Sequence, residues 1–262
     1  MKLCFVSTIN QKLYDEYGKR FIKEFMEKSE QNIHLHIYFE GDVPDNLQTK
    51  YKKNFTIQVL NNPRHQNFLK FYKNLFEAHG VKVKLISQDN GEKKVDLTSD
   101  YRFNAIKFSH KPFAIYQSIL DISSQFDYII WIDADLRCKK KFTFDNIKPF
   151  LPSKDENLSI LQRKHDHSEC GFLGFNIQQP LTIKFINRVI NIYSTGEIFS
   201  LEEWHDSFVF DHVIQEFKKE NIKIKNISGR GFATDHPFIH SGLEEFFDHL
   251  KGPERKKKGT SF

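Results

Sequence analysis

Phe126-Asp127-Tyr128-Ile129-Ile130-Trp131-Ile132-Asp133-Ala134-Asp135 is the stretch from which the rest of the chain can be read. Tyr128 to Ile132 is an unbroken apolar run of β-branched and aromatic residues, the pattern of a buried central strand. It stops at two carboxylates. Residues i and i+2 of an extended chain point the same way. Asp133 and Asp135 therefore converge at the carboxyl end of a core strand, where open α/β sheets bind ligands. Carboxylates this close repel unless a positive charge lies between them. A divalent cation that also takes phosphate oxygens meets that need.

Upstream, Tyr101 to Pro112 leads into a helix through Ile115, Ile119 and Leu120 that delivers the chain to this strand. Arg102, Lys107, His110 and Lys111 lie on the approach, and a nucleoside diphosphate beside the carboxylates would need such charges. Val81 to Asp100 is hydrophilic and reads as a loop or irregular excursion. Before it, Arg64 to His79 has helical spacing through Phe68, Phe71, Tyr72, Leu75 and Phe76, stopped by Gly80. The chain opens with a strand (Lys2 to Thr8), a helix (Tyr14 to Lys28) and a second strand (Ile33 to Phe39), and Phe55 to Leu60 suits a third. A β-α-β start is the unit of a parallel sheet.

Downstream, Leu136 to Lys141 carries a charge run of the solvent-facing kind, and Leu158 to Gln162 suits a strand. In His165 to Asn176, Gly171 and Gly174 predict a tight turn or bulge with close backbone approach. His165-x-His167 has a metal-like spacing, but no third ligand stands near it in sequence, so zinc is not expected. Glu169, in the same polar cluster, is a candidate contact for a hydroxylated substrate. Leu181 to Tyr193 is an amphipathic helix. Glu202-Glu203-Trp204-His205-Asp206-Ser207 precedes a further helix, Phe208 to Lys218, and Asp206 suits both an acid/base site and an acidic helix cap. Ile222 to Ile227 is the last strand. Beyond it, His240 and His249-Leu250-Lys251-Gly252 offer a further metal ligand, a cation and a close backbone approach for phosphate.

A chain of 262 residues can build a sizeable core, and without a linker or internal repeat it reads as one α/β domain. The 39 basic and 34 acidic side chains give a net charge of only +5, partly concentrated at Arg255 to Lys258, so no nucleic-acid partner is expected. Three scattered cysteines exclude a disulfide framework or a thiolate zinc site and suit reduced thiols. No apolar stretch reaches the length of a membrane span. The expected location is the cytoplasm, with Arg255 to Lys258 supporting at most a weak peripheral contact with an anionic membrane. Most of the 27 Phe rings are expected in the core and some as platforms for sugar or base.

The ordered set of features resembles the GT-A glycosyltransferases, the nucleotide-sugar-dependent class with an Asp-x-Asp motif. The likeness rests on the β-α-β start, the Ile-Ile-Trp-Ile-Asp-Ala-Asp strand, Glu-Cys-Gly-Phe-Leu-Gly-Phe-Asn, Trp-His-Asp-Ser, and the late His-Leu-Lys-Gly. It implies a single Rossmann-like α/β domain with a mainly parallel central sheet flanked by helices. About 1–135 would be the nucleotide-binding half, about 136–252 the acceptor-side half, and 253–262 a basic tail. It implies Mn²⁺ or Mg²⁺ on Asp133, Asp135 and His249, with His240 the rival third ligand. The donor would be a UDP- or GDP-sugar whose phosphates meet Asp133 through the metal and Arg102, Lys107, Lys111, Lys251 and Gly252 directly. Asp206 would be the acceptor-side carboxylate, a base in an inverting reaction, with Glu169 as the alternative or as a contact to the donor sugar. The acceptor would be a hydroxyl of a glycan or small molecule. The same carboxylate pair would serve a nucleotidyltransferase. An aspartate-nucleophile phosphohydrolase fits less well, since Arg137 stands where that class has Thr or Val; a non-catalytic sugar-binding module is the remaining alternative.

Overall fold

The computed structural model describes residues 1–44, 47, 54–87, 93–229 and 237–249. Its strands are β1 (Leu3–Ile9), β2 (His34–Phe39), β3 (Phe55–Val59), β4 (Val81–Ser87), β5 (Lys93–Ser99), β6 (Tyr128–Ile132), β7 (Leu136–Cys138), β8 (Leu158–Leu161), β9 (Glu169–Asn176), β10 (Ile224–Asn226) and β11 (Phe247–His249). The longer helices are α1 (Lys19–Lys28), α2 (Pro63–Tyr72), α3 (Ala105–Ile122), α4 (Pro180–Ser194) and α5 (Asp206–Phe217). Seven strands form the central sheet in the order β10-β8-β9-β6-β1-β2-β3. All its neighbours pair in parallel except β9, which runs against β6 and β8. The architecture is the mainly parallel α/β sheet expected.

Alternation along the central strands explains how the sheet is covered. Cys4, Val6, Ile129 and Trp131 face a core shared with Phe113, Phe185 and Phe210 of α3, α4 and α5. Leu3, Phe5, Ile130 and Ile132 face a second core with Phe21, Ile22 and Phe25 of α1 and with Phe247 of β11. A strand apolar on both faces is stable only with both faces covered. The second core is knit by rings at edge-on geometry: Phe5 lies 5.1 Å from Phe25 and 6.3 Å from Phe172.

Three sequence expectations need correction. Val81 to Asp100 is not a loop: β4 and β5 form an antiparallel pair with Val83 opposite Leu97 and Leu85 opposite Val95. Val95 and Leu97 are exposed, so at these positions β5 lacks the burial of a core strand. The helix from Arg64 does not run to His79. It ends at Tyr72, and the backbone tightens to i→i−3 bonds (Leu75 to Tyr72, 3.0 Å) before a single 3₁₀ turn, Glu77–His79. Gly171 and Gly174 form no turn and both lie inside the fully buried β9, but the bulge is present at Gly171: the β8–β9 register shifts between Ile160, opposite Leu173, and Leu161, opposite Glu169. The close approach expected of them is real, but to side chains, Gly171 to His249 and Gly174 to Ser159.

Candidate metal and donor site

Asp133 and Asp135 leave β6 at its carboxyl end, and β7 begins one residue after Asp135. β7 pairs antiparallel with β11 in a separate two-stranded ribbon that sets His249 opposite Leu136. This pairing brings an imidazole from late in the chain beside the carboxylates. His249 Nε2 lies 3.4 Å from Asp135 Oδ1 and 3.7 Å from Asp133 Oδ2. The three side chains each offer a ligand atom within 4.8 Å of the others. Oxygen and imidazole donors in this number suit Mn²⁺ or Mg²⁺ with positions left for phosphate oxygens. Among the described residues, His249 and not His240 belongs to this group.

The other oxygen of Asp133 is already held. Oδ1 accepts the indole N–H of Trp131 at 2.7 Å and meets the Lys111 ammonium at 3.0 Å. This leaves Oδ2 on the side of His249. Lys111 also reaches Asp206 Oδ2 at 2.5 Å and donates to the carbonyl of Cys170 at 2.8 Å. Burial alone would lower the Lys111 ammonium, but Asp133 and then Asp206 outweigh it and hold it well above the usual lysine range. Burial, and then the charges of Asp135 and Asp133, push the phenol of neighbouring Tyr17 upward.

Glu169 lies against His249: its Oε1 is 3.4 Å from His249 Nδ1 and accepts the Gly171 N–H at 3.0 Å. A carboxylate on the far nitrogen of a ligating histidine fixes ring orientation and tautomer. Asp206 is not the helix cap. His205 takes that place, its Nδ1 accepting from the Phe208 N–H at 3.3 Å, and Asp206 is the first residue of α5.

A cavity of about 890 Å³ opens over this floor at the carboxyl ends of the parallel strands. All four cationic groups of the approach to α3 line it, as do Asp206 and Glu169. They are not equivalent. Arg102 is engaged with Asp100 at 2.8 Å and Glu203 at 3.1 Å. His110 stands 3.7 Å from Glu40, and burial lowers its affinity for a proton. Lys111 is enclosed between carboxylates, whereas Lys107 is exposed over the Phe108 ring at 5.3 Å. Lys107 and Lys111 are four apart on one helix, and that spacing was the signal that they share a face. Lys251, Gly252 and the basic tail lie outside the described residues. Sequence reasoning missed Trp131 as a donor to Asp133 and a group formed by His167, Glu203 and His205 in the same cavity. The i,i+2 spacing of Trp131 with Asp133 and of Glu203 with His205 was a usable signal, whereas His167 joins the latter pair only through tertiary packing.

No protein-family model matches the chain, and no curated protein matches it in sequence. Among solved structures, mouse xyloside xylosyltransferase 1 in its apo form is similar over 93% of this chain and 93% of that chain, at 11% identity and a TM-score of 0.50. Apo GlyE, a glycosyltransferase of Streptococcus pneumoniae TIGR4, is similar over 87% of this chain and 46% of its own, at 10% identity and a TM-score of 0.49. The first likeness covers nearly all of both chains and shows the fold: this chain shares the α/β fold of that xylosyltransferase.

Proposed function

We propose that the protein transfers a sugar from a nucleotide sugar, a UDP- or GDP-sugar, to a hydroxyl acceptor, using Mn²⁺ or Mg²⁺ held by Asp133, Asp135 and His249. One observation carries this reading: two carboxylates and an imidazole from distant segments converge on the floor of a cavity at the carboxyl ends of β1 and β6. The fold shared with a xylosyltransferase supports it. A bound divalent ion supplies Lewis acidity to the departing nucleoside diphosphate.

The chain's own residues prepare the site. Lys111 and Trp131 hold Asp133 Oδ1, so that Oδ2 faces the ion. Glu169 orients His249 through its Nδ1. Lys107 has no ion-pair partner among the described residues and is the cation open to a diphosphate, with Arg102 at the rim and Lys251 and Gly252 beyond the described chain. Asp206, charge-paired with Lys111, binds a sugar hydroxyl in the wall of the cavity. We read the chain as one domain, its two halves meeting at Asp133.

A thermal-shift series with nucleoside diphosphates, each with and without Mn²⁺, tests the donor site. Stabilisation that requires both is expected, at about 2.7 kcal/mol for ligand at a hundredfold its dissociation constant. Asp135→Ala should abolish that joint stabilisation and sugar transfer while the protein stays folded. Turnover undiminished in Asp135→Ala would overturn the assignment.

A further inference from the structure

His167, Glu203 and His205 form a second cluster able to hold a metal, and each of the three lines the same cavity as Asp133. We propose that this cluster is a zinc site, separate from the Asp133 site and independent of the transferase reading. The three potential ligand atoms lie within 4.8 Å of one another. Glu203 Oε2 is central: His205 Nε2 is 2.7 Å from it and His167 Nε2 is 3.5 Å from it. Two ligand atoms of a tetrahedral zinc, each about 2.0–2.1 Å from the ion, lie roughly 3.3 Å apart. The observed spacings bracket that value, so an ion needs only a small opening of the cluster.

The surroundings are those of a ligand set. Asp211 Oδ2 stands 3.7 Å behind His167 Nδ1, and Asp211 is itself fixed by the Ser168 N–H at 2.8 Å and hydroxyl at 2.6 Å. A carboxylate at the far nitrogen is the usual support of a metal-bound imidazole. Arg102 occupies only the other oxygen of Glu203, Oε1, at 3.1 Å, and its charge is shared with Asp100. Phe108 and Phe208 wall the two imidazoles at ring distances of 5.9 and 5.3 Å. Two imidazoles and one carboxylate form a donor set of catalytic zinc sites, one that mononuclear iron(II) sites share, whereas the two carboxylates and one imidazole of the Asp133 group suit harder ions such as manganese or magnesium. Three protein ligands leave a position for water or for an oxygen of a molecule in the cavity.

One hydrogen bond opposes binding. His205 Nδ1 caps α5, so in the neutral imidazole the proton sits on Nε2 and is given to Glu203. Zinc on Nε2 moves that proton to Nδ1 and forfeits the cap. His205→Asn keeps a good cap while removing the ligand.

Equilibrium dialysis against Zn²⁺ followed by metal analysis reads the stoichiometry. In the Asp135→Ala background, one tightly held Zn²⁺ per chain is expected, without Mn²⁺ binding. Adding His167→Gln, or separately His205→Asn, should lower Zn²⁺ affinity at least tenfold with the circular dichroism spectrum unchanged. If Asp135→Ala retains no zinc, or if a folded His167→Gln or His205→Asn variant retains it at unchanged affinity, the proposal is wrong. Sugar transfer is not the readout, so the outcome stands whether or not the donor-site reading survives.

Discussion

Gly171 shows how one missing side chain can shape a site. A β-carbon there would meet His249 Cε1 at 2.6 Å, Nδ1 at 2.8 Å and Glu169 Oε1 at 3.0 Å. Gly171→Ala must therefore displace the imidazole from its place beside Asp133 and Asp135. Mn²⁺ affinity measured by calorimetric titration should fall about tenfold or more, the scale of losing a supporting contact to a metal ligand; unchanged affinity would show that the ring is not set by this contact. At this scale the sequence was legible where chemistry is local. Asp133 and Asp135 announce themselves by spacing at the end of an apolar run. His249 needed the ribbon pairing with β7 to reach them, and Glu203 became a partner of His167 only through tertiary packing. Lys111 looked like one cation in a run of four, and only its burial between Asp133 and Asp206 distinguishes it.

At the scale of elements, β11 is short but joins two roles. Phe247 is fully buried and packs on Phe142 at 5.0 Å, and two residues on the same strand carries His249 into the site. Phe247→Ala should destabilise the fold by about 3–5 kcal/mol in urea titration and weaken Mn²⁺ binding as well. Phe25→Ala, in the same core but on α1, should cost comparable stability with metal affinity retained. Equal loss of metal affinity in both would mean that β11 has no special hold on the site. Elements buried on both faces, β1, β2 and β6, were readable because their patterns leave no alternative. The β4–β5 hairpin was not, because alternating Val and Lys resembles a polar excursion. The Gly171–Gly174 segment was read as a turn or a bulge, and the structure decides for a strand with a register shift at Gly171, because glycine serves both until the neighbour that requires the space is known.

Acid should act on the whole molecule through buried histidines whose protonation burial disfavours. His36 is 2% exposed and stacked on Tyr38, and burial, reinforced by His34, lowers it to about 4. Burial lowers His65 and His110 as well. An unfolded histidine titrates near 6.5, so between about pH 6.5 and 4 the unfolded chain binds more protons than the folded one. The stability contributed by a neutral His36 is therefore fully present above the upper value and is lost as pH falls through the window. About 2 kcal/mol should disappear from this residue between pH 7 and 5. Urea unfolding at both values checks it: His36→Phe should flatten the dependence, and a slope equal to that of the wild type would remove His36 from the account. The assembly of the sheet also bears on how the protein is made. Synthesis proceeds from the amino terminus, and domains fold as units while the chain emerges. The sheet is complete once β10 exists, but the carboxylates lack their imidazole until residue 249 has been added. During translation the nascent chain would therefore hold a complete central sheet before the proposed cation site, and binding of the ion would itself report that synthesis has passed residue 249.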